Sequence, residues 1–506
     1  MTSRIGIDVG GTNTDAVVLD DGDRIVARAK RPTSPDVTEG LRQALTAVLD
    51  ELGERAGEVR RVMLGTTHAT NAILERRALG RVAAIRLGAP ATTSIPPLTG
   101  WPADLRNAVA AGTALVRGGN FVDGRAIAPL DTDAIRRFLH GTPADAVAVT
   151  GVFSPAGDEQ EKRVAEIVKE ELGDTVTVSL SHEIGSLGLV ERENATVLNA
   201  ALYGVARDVT AALRQVLAER GLDVEPFFAQ NDGTLMAVDY AARYPVLTIG
   251  SGPANSLRGA AFLSGVSDAI VADVGGTSTD LGVLVGGFPR ESAAAVEIGG
   301  VTTNFRMPDI LAIALGGGTV VGDGVGPRSV GYRITAEALA FGGRTPTMTD
   351  AAVAAGRGRV GTHPVAASEA LARAVRIADE MVSDAVDRVA LGKADRPLIA
   401  VGGGAFLLPA RVPGASEVVR PGHADVANAV GAAIALASGR FDTIAPAGAG
   451  RSAAIERAKE EAAARAVAAG ADPVKVEIVE LAEVPLSYLP EPAVRVHVKA
   501  AGPLQQ

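Results

Sequence analysis

The chain has 506 residues, with 49 Lys and Arg against 59 Asp and Glu, a net charge of −10, and no Cys. The acidic excess argues against a nucleic-acid-binding surface, which needs a concentrated basic patch. The missing Cys exclude disulfides, thiolate metal sites and a Cys nucleophile. An apolar fraction of 47% and a charged fraction of 21% are typical of a globular protein. Glycine is over-represented, because average usage of about 7% predicts about 35 residues and the chain has 59.

The start of the chain carries no recognisable targeting signal. Its apolar run meets Asp8 too early to form the core of a signal peptide. No uninterrupted apolar run reaches the roughly 18 residues that a membrane span needs. We therefore expect a soluble, cytoplasmic protein.

The first 30 residues predict three strands joined by tight turns. The strands are Arg4–Asp8, Ala16–Leu19 and Arg24–Ala29, and glycine or aspartate clusters separate them. A helix is predicted next, because Ser34-Pro35-Asp36 supply start signals. Its apolar positions at helical spacing are Leu41, Leu45, Val48 and Leu49.

Strands and helices alternate through the next part of the chain, which is typical of an α/β fold. Ala146–Val149, for example, precedes the charged helix 158–172. The region 88–129, rich in Gly, Pro and polar residues, is interpreted as an insertion or a flexible surface region. Pro245–Ile249 is predicted as a short strand.

The last third predicts a long helix, a strand and a change in composition. Ala367–Leu391 reads as the helix and Pro397–Val401 as the strand. Beyond Gly439, Ser452–Ala471 predicts a helix and Val474–Val498 predicts strands. We expect three units: an N-terminal lobe over 1–195, a second lobe over 196–440, and a small α+β appendage over 441–506. The appendage either caps the second half or uses its helix to bind a partner.

An octapeptide near the start returns in the middle of the chain. DVGGTNTD at 8–15 recurs as DVGGTSTD at 273–280, identical at seven of eight positions. Apolar strands precede and follow both copies, and the spacing is too long for a solenoid. The pattern indicates an internal duplication of a domain-sized unit.

Each copy suits phosphate binding. Glycine pairs bend the backbone tightly and bring N–H groups against an anion without hindrance from a Cβ. Asp8 and Asp273, at the strand ends, are expected to hold Mg²⁺ that bridges phosphate oxygens. The alternative is a pair of hairpins whose glycines only satisfy turn geometry.

A series of motifs in the chain resembles the hydantoinase A/oxoprolinase family of the actin, sugar-kinase and Hsp70 (ASKHA) superfamily. The matching segments, in family order over most of 4–435, are GIDVGGTNTDAVV, GTTHATNAILER (65–76), RENATVLNAAL (192–202), QNDGTLMAVDYA (230–241), SGPANSLRGA (251–260), ADVGGTSTDLGVL and VGPRSVGY (325–332). The resemblance implies an α/β, two-lobed ASKHA-type ATPase with duplicated ribonuclease-H-like lobes. It also implies ATP, Mg²⁺ and a second, B-type subunit in a hetero-oligomer.

The activity implied by the resemblance is ATP-dependent hydrolysis of a cyclic amide, of the hydantoin, oxoproline or lactam type. The carbonyl oxygen would be phosphorylated before the ring opens. The resemblance assigns cofactor-binding residues to two phosphate loops and an adenosine-side turn. They are Asp8, Gly10, Gly11, Thr12, Asn13, Thr14 and Asp15; Asp273, Gly275, Gly276, Thr277, Ser278, Thr279 and Asp280; and Gly402, Gly403 and Gly404.

Further residues carry open alternatives. His68 either contacts the substrate as an acid or base or is a hydrogen-bonded turn histidine. Glu191, close to His182 and Glu183, either orients water or Mg²⁺ or belongs to a charged helix start with salt bridges. Gly316 and Gly317 either approach the nucleotide through their backbone or form a structural turn. Asn231-Asp232-Gly233 and Ser251-Gly252-Pro253 either line the cleft or are explained by turn chemistry.

Three other functions stay open at this point. The first is an ATPase subunit of a carboxylase that activates bicarbonate or a ketone. The second is a nucleotide-gated protein, similar to the reactivating or chaperone ATPases of the superfamily. The third is a small-molecule kinase, which a stable phosphorylated product would reveal.

Overall fold

The computed structural model describes residues 2–10, 13–32, 37–185, 187–292, 295–304, 307–391, 395–448, 450–486 and 492–505. The predicted helix start at Ser34-Pro35-Asp36 lies outside the described residues.

The described residues form the following elements, numbered in chain order. The strands are β1 (Ser3–Val9), β2 (Asn13–Asp20), β3 (Ile25–Pro32), β4 (Val59–Thr66), β5 (Val82–Ala89), β6 (Ala110–Arg117), β7 (Ala146–Gly151), β8 (Thr177–Leu180), β9 (Glu225–Ala229), β10 (Leu235–Ala237), β11 (Ala269–Val274), β12 (Thr279–Val285), β13 (Phe288–Pro289), β14 (Val296–Ile298), β15 (Val301–Thr303), β16 (Ile310–Ile313), β17 (Thr319–Val321), β18 (Val325–Ser329), β19 (Arg396–Val401), β20 (Ala415–Val419), β21 (Ala437–Pro446), β22 (Glu477–Leu486) and β23 (Ala493–Gly502). The helices are α1 (Val37–Leu52), α2 (His68–Glu75), α3 (Ala103–Val109), α4 (Thr132–Gly141), α5 (Glu159–Leu172), α6 (Ser181–Ile184), α7 (Leu189–Ala201), α8 (Tyr203–Glu219), α9 (Val238–Arg243), α10 (Ser251–Ser264), α11 (Ile334–Glu337), α12 (Met348–Ala354), α13 (Glu369–Ala390), α14 (Ala427–Ile434) and α15 (Arg451–Ala468).

Two mixed sheets form the centres of two lobes. The first runs β22-β23-β21-β10-β9-β4-β1-β2-β3, and the second runs β13-β12-β11-β19-β20, with β16 paired to β12. A smaller parallel sheet, β6-β5-β7-β8, belongs to the N-terminal part of the chain. The α/β class expected from alternating strands and helices is confirmed.

The two copies of the octapeptide form the same hairpin in the two large sheets. β1 and β2 are antiparallel and pair Asp8 with Asp15. β11 and β12 are antiparallel and pair Asp273 with Asp280. Each first strand has a parallel neighbour on its other side, β4 for β1 and β19 for β11. The sequence duplication is therefore a duplication of structure.

The sheets divide the chain differently from the expected boundaries. Position 195 falls inside α7, and β9 and β10, which follow it, belong to the first sheet. The C-terminal strands β21 to β23, expected to cap the second half, extend the first sheet instead. Region 88–129, expected as an insertion, supplies β6 to the smaller sheet. Periodicity identifies a strand but not the distant strand that completes its hydrogen bonds.

Helices cover these sheets with their apolar faces. In α1, the predicted Leu41, Leu45 and Val48 are fully buried and pack in one cluster with Ile5 and Ile7 of β1. α13 likewise covers the second sheet. Among the helices of the described residues, none combines the length and apolar character needed to cross a bilayer.

The C-terminal helix α15 uses small residues to approach its sheet. Ala458, Ala462 and Ala466 are fully buried, at a spacing of four residues that places them on one face of the helix. They share a core cluster with Val496 and Val498 of β23. This helix is therefore an integral layer of the first lobe.

The prediction of a strand over Pro245–Ile249 is wrong. Pro245–Thr248 forms a 3₁₀ turn. Pro245 has no N–H to offer a sheet, the Leu247 N–H donates to the Tyr244 carbonyl, and Thr248 Oγ1 donates to the Pro245 carbonyl. The Leu247 N–H and the Pro245 carbonyl are thus used in local hydrogen bonds and are not available to a neighbouring strand.

Candidate functional site

A cleft of about 410 Å³ lies where the two hairpin turns face each other. Both hairpins, the turn after β19 and the first turns of α10 and α14 contribute to its walls. Its lining from these elements includes Asp8, Gly10, Asn13, Asp15, Gly252, Pro253, Ser256, Asp273, Gly275, Gly276, Thr277, Ser278, Asp280, Gly402, Gly403, Gly404 and Asn428. The fold thus brings together residues from distant parts of the chain in one cavity.

The first hairpin places two buried carboxylates in this cleft. Asp8 and Asp15 are each 3% exposed, and Asn428 Nδ2 donates to both, at 3.0 Å to Asp8 Oδ2 and 3.1 Å to Asp15 Oδ2. Burial, and after it the charge of Asp15, raises the pKa of Asp8 from 3.8 to about 7. Burial also raises the pKa of Asp15, against the opposing effect of Lys30.

The second hairpin repeats the arrangement. Burial raises the pKa of Asp273, although Ser256 Oγ donates to its Oδ2 at 2.6 Å and acts in the opposite direction. Burial and the charge of Asp273 raise the pKa of Asp280 to about 7. Asp273 also contributes to the raised pKa of Asp8, so the two hairpins share one electrostatic environment. Crowded carboxylates of this kind favour binding of a cation.

The polar residues of the cleft that the sequence did not predict include Lys30 and Asn428. Lys30 Nζ lies 2.5 Å from Asp15 Oδ1. The β2–β3 register places the two residues opposite each other, so the hairpin predicted between these strands could have identified Lys30 as a neighbour of Asp15. Asn428 lies in the first turn of α14, far along the chain from the aspartates that it contacts, and no local signal marks it.

The turn after β19 approaches the second hairpin so closely that Gly402 and Gly404 leave no room for a Cβ. Gly402 has φ +84°, and a Cβ there would lie 2.3 Å from Asp273 Oδ1. The Gly404 N–H donates to the Val274 carbonyl at 2.8 Å. The adenosine-side turn expected from the resemblance thus borders the second hairpin.

The glycine turn at 316–318 braces the same hairpin. The Gly317 and Gly318 N–H groups donate to the carbonyls of Gly275 and Gly276, at 3.0 and 2.7 Å. A Cβ on Gly316 would lie 2.6 Å from the Thr277 nitrogen. Gly317 lines the cleft, whereas Gly316 contributes through backbone packing.

Several predicted cofactor-binding residues occupy other positions. Thr14 and Thr279 are fully buried, and Thr279 Oγ1 donates to the Leu315 carbonyl at 2.6 Å rather than facing the cleft. A residue that alternates with the cleft-facing positions of a strand points to the opposite face. Gly11 and Thr12 lie outside the described residues.

His68 and Glu191, the other catalytic candidates, do not line the cleft. His68 begins α2, shares a short hydrogen bond with Thr66 Oγ1, and has its pKa lowered by burial, which favours the neutral imidazole. It borders a separate cavity of about 20 Å³. Glu191 lies half-buried in the first turn of α7. The structure does not bring either residue into the carboxylate cluster of the cleft.

The residues after Glu191 have structural contacts. The Glu193 carboxylate accepts two 2.6 Å hydrogen bonds from Arg86 of β5, and both side chains are buried. Asn194 Oδ1 accepts from Trp101 Nε1 at 2.7 Å. The Arg86–Glu193 pair therefore fastens α7 to the smaller sheet, and the Trp101–Asn194 bond fastens it to the segment that precedes α3.

The aspartates of the cleft also fit a magnesium ion. Within the described ranges, no three His, Asp or Glu side chains form a group that could hold a metal. Mg²⁺ does not need such a cage, because it usually keeps several waters and takes one or two carboxylates together with substrate phosphates. Asp8 and Asp273, one from each hairpin and both with a raised pKa, are suitable ligands.

Two sheets that carry the same hairpin across a glycine-lined cleft define the two-lobed fold of the ASKHA superfamily. The crystal structure of the ATP-dependent caprolactamase from Pseudomonas jessenii has this fold, with a TM-score of 0.81 and 21% identity over 99% of this chain and 88% of that chain. Nucleotide-free acetone carboxylase aligns with a TM-score of 0.67 and 18% identity, over 99% and 88%.

The chain belongs to the hydantoinase/oxoprolinase family. Residues 4–172 match the hydantoinase/oxoprolinase N-terminal region, and residues 192–364 match the hydantoinase/oxoprolinase domain that follows it. The family resemblance noted in the sequence is confirmed.

Curated relatives in this family include subunits with different activities. The acetophenone carboxylase gamma subunit of Aromatoleum aromaticum is 29% identical over 393 residues, which are 70% of this chain and 53% of the relative. The caprolactamase subunit alpha of Pseudomonas jessenii is 29% identical over 391 residues, or 70% and 54%. The chain thus spans about half the length of these relatives.

Proposed function

We propose that this chain is the ATP-dependent subunit of an enzyme that opens a cyclic amide, after phosphorylating the carbonyl oxygen of the amide. The observation that carries the proposal is the convergence of both duplicated hairpins, with their four aspartates, on one glycine-lined cleft. The ATP dependence stated for the caprolactamase relative supports it.

The chain's own groups suit the phosphates of ATP. One backbone hydrogen bond fixes each hairpin turn. The Gly10 N–H donates to the Asn13 carbonyl at 3.0 Å, and the Gly275 N–H donates to the Ser278 carbonyl at 2.9 Å. Thr277 and Ser278 add hydroxyl donors at the cleft wall. Lys30 supplies a cation at the cleft, where it can exchange the Asp15 carboxylate for a phosphate.

Asp8 and Asp273 would hold Mg²⁺ between the two hairpins. When bound, Mg²⁺ neutralises the charge that the phosphates and the aspartates would otherwise concentrate in the cleft. Asn428 and Ser256 hold the two carboxylates in place by hydrogen bonds to Asp8 and Asp273. The two lobes would thereby clamp the nucleotide from both sides.

The chemistry follows from the weakness of an amide as an electrophile. The carbonyl oxygen attacks the γ-phosphorus, the bond from that phosphorus to the bridging oxygen breaks, and ADP leaves. Water then adds to the activated carbon, and the ring nitrogen departs with a proton. A second water attacks the same carbon of the resulting acyl phosphate and releases phosphate, so one ATP and two waters are used for each ring opened.

Phosphate release against a panel of carbonyl compounds tests the proposal. Hydantoin, 5-oxoproline and ε-caprolactam are supplied with Mg²⁺ and ATP, with and without a co-purified partner. We expect one ring class to stimulate phosphate release and to yield a ring-opened product in equal amount. Turnover that no carbonyl compound stimulates, but that a protein partner alone accelerates, would instead indicate a nucleotide-gated remodelling protein.

The carboxylase relatives favour a second candidate function. The same cleft would phosphorylate bicarbonate or the enol oxygen of a ketone before a carboxylation, the reaction that the names of the acetophenone and acetone carboxylase subunits state for those relatives. Bicarbonate-dependent ATP turnover in the absence of any lactam separates this function from amide hydrolysis.

A partner subunit belongs to both proposals. The matched relatives are named as gamma, alpha and beta subunits, which supports a hetero-oligomer here. Co-purification of the tagged chain from its native host, followed by identification of the bound protein, tests this part separately.

A further inference from the structure

A fully buried asparagine of α10 lies just behind the wall of the glycine-lined cleft. Asn255 is 0% exposed, and the next residue, Ser256, lines the cleft. Leu257, one position further, packs in one cluster with residues of β11 and β19. Helix α10 is therefore anchored on the second sheet, and its position beside the cleft brings Asn255 to the first hairpin.

The Asn255 amide meets the Asp8 carboxylate next to Gly65. Strand β4 places Gly65 opposite Asp8. A Cβ on Gly65 would lie 2.3 Å from Asp8 Oδ1 and 2.6 Å from Asn255 Nδ2, so the glycine lets the two side chains lie side by side. Burial, and after it the charge of Asp15, raises the pKa of Asp8, and Asn255 acts against this rise. A nearby N–H donor has this effect because it favours the charged carboxylate.

The two groups lie close together without a complete hydrogen bond between them. Asp8 Oδ1 and both polar side-chain atoms of Asn255 have no hydrogen-bond partner of normal geometry within the part of the chain that the structure describes. Asp8 Oδ2, in contrast, accepts from Asn428. Buried polar atoms without partners are rare in folded proteins. A donor and an acceptor of this kind side by side are therefore suited to form one hydrogen bond after a small shift.

The crossing of α10 and α14 fixes the backbone that carries this amide. A Cβ on Gly431 of α14 would lie 1.9 Å from the Asn255 carbonyl oxygen. A Cβ on Gly259 of α10 would lie 1.8 Å from the Ala427 carbonyl oxygen. The two helices thus pack backbone against backbone, and α14 also packs on β2 of the first hairpin. The Asn255 amide therefore has little freedom to move away from Asp8.

We propose that Asn255 is a positioning residue of the Mg²⁺ site, whose Nδ2 donates to Asp8 Oδ1 when the cleft is loaded with Mg²⁺ and nucleotide. Its neighbour Ser256 donates to Asp273 Oδ2 at 2.6 Å, so two adjacent residues of one helix hold a carboxylate of each duplicated hairpin. The inference rests on the proposed function for the assignment of Asp8 and Asp273 as Mg²⁺ ligands. Hydrogen bonds orient a metal-binding carboxylate, and losing such a bond typically weakens metal affinity about 10–100-fold.

The test measures the affinity of the full chain for β,γ-imido-ATP by isothermal titration calorimetry, once with Mg²⁺ and once with EDTA. The ratio of the two affinities, here called the Mg²⁺ ratio, reports the contribution of the metal ion without any catalytic turnover. In Asn255→Ala we expect the Mg²⁺ ratio to fall at least about tenfold, while the affinity in EDTA stays within about threefold of the wild type. Asp8→Asn, which removes a carboxylate ligand, gives the ratio expected when the ligand itself is lost.

A matched variant separates positioning from folding. Asn199 of α7 is also fully buried, but its Nδ2 donates to Ser179 Oγ and to the Arg243 carbonyl, each at 3.1 Å. Asn199→Ala should lower the midpoint of urea unfolding and leave the Mg²⁺ ratio unchanged. Asn255→Ala should lower the midpoint less, because the amide that it removes has no complete hydrogen bond to lose. Should Asn255→Ala fail to fold, Asn255→Ser removes the same amide with a smaller loss of volume, and we expect the same fall in the Mg²⁺ ratio.

Two results for the Asn255 variant would overturn the proposal. One is a Mg²⁺ ratio within about threefold of the wild type. The other is an equal loss of affinity with Mg²⁺ and with EDTA, which would show a general distortion of the cleft. Failure of the proposed function looks different, because no carbonyl compound would then stimulate phosphate release in the wild type while the Mg²⁺ ratio still responded to Asn255→Ala. A wild-type ratio in Asp8→Asn would contradict the metal assignment and the inference with it.

Discussion

Replacing Asp8 by Asn should make the ligand-free protein more stable at pH 8 while abolishing Mg²⁺-dependent ATP turnover. Asp8 is buried beside Asp15 and its pKa is raised from 3.8 to about 7. The native state therefore retains a proton that the unfolded chain releases near pH 4. As the pH rises from 4 to 7, the native state loses stability relative to the unfolded chain.

The magnitude follows from the difference between the two pKa values. A pKa difference of about three corresponds to about 4 kcal/mol at pH 8 and to about 1.6 kcal/mol at pH 5. The amide of the Asp8→Asn variant does not titrate, so this variant should gain up to about 2.5 kcal/mol relative to the wild type between pH 5 and pH 8. Comparing the two proteins at each pH removes the contribution of the remaining carboxylates to first order.

The assay is urea unfolding at both pH values, followed by Trp101 fluorescence. Trp101 is the only Trp of the chain, and it packs in the same core cluster as Ile5 and Ile7 of β1, so it reports on the lobe that holds Asp8. An Asp8→Asn variant whose relative stability is equal at the two pH values, or lower at pH 8, would refute the reasoning about burial. Normal ATP turnover in this variant would refute the metal assignment.

Three further substitutions test other parts of the account. Gly402→Ala should destabilise the ligand-free protein by at least about 1 kcal/mol, because Ala at positive φ is strained and its Cβ would meet Asp273. The control Gly403→Ala, with open space around the new Cβ, should leave the melting temperature unchanged. Glu193→Gln should cost about 3–5 kcal/mol in unfolding free energy, because it leaves the buried Arg86 charge without its counter-ion; a loss below about 1 kcal/mol would contradict this. His68→Gln should change carbonyl-stimulated ATP turnover less than about threefold, since His68 lies outside the cleft; a loss of about 100-fold or more would restore an acid–base role.

Local features of the fold could be predicted from the sequence. The hairpin at 8–15 and its copy at 273–280 depend on glycine turns between β-branched strands, and these signals are contained in a few neighbouring residues. Helix α1 followed from the spacing of its buried leucines. The match of the two copies also indicated that both belong to one cleft.

Long-range features could not be predicted in the same way. Strands β21 to β23 were expected on the second half, yet they pair onto the first sheet, because alternation along a strand does not specify its neighbour. Asn428 contacts Asp8 only after the chain has returned from the second lobe. His68 follows the strand next to β1, which places its backbone near the cleft while its imidazole bonds to Thr66 instead.

Transfer of oxygen from substrate to phosphate tests the central claim most directly. A cyclic amide that stimulates turnover is prepared with ¹⁸O in its carbonyl group, and the phosphate formed from ATP is examined by mass spectrometry. Because the carbonyl oxygen attacks the γ-phosphorus and water later attacks the carbon, each ring opened should yield one phosphate that carries ¹⁸O. Phosphate free of the label, with all ¹⁸O retained in the ring-opened carboxylate, would contradict this sequence of phosphorylation of the carbonyl oxygen followed by attack of water at carbon.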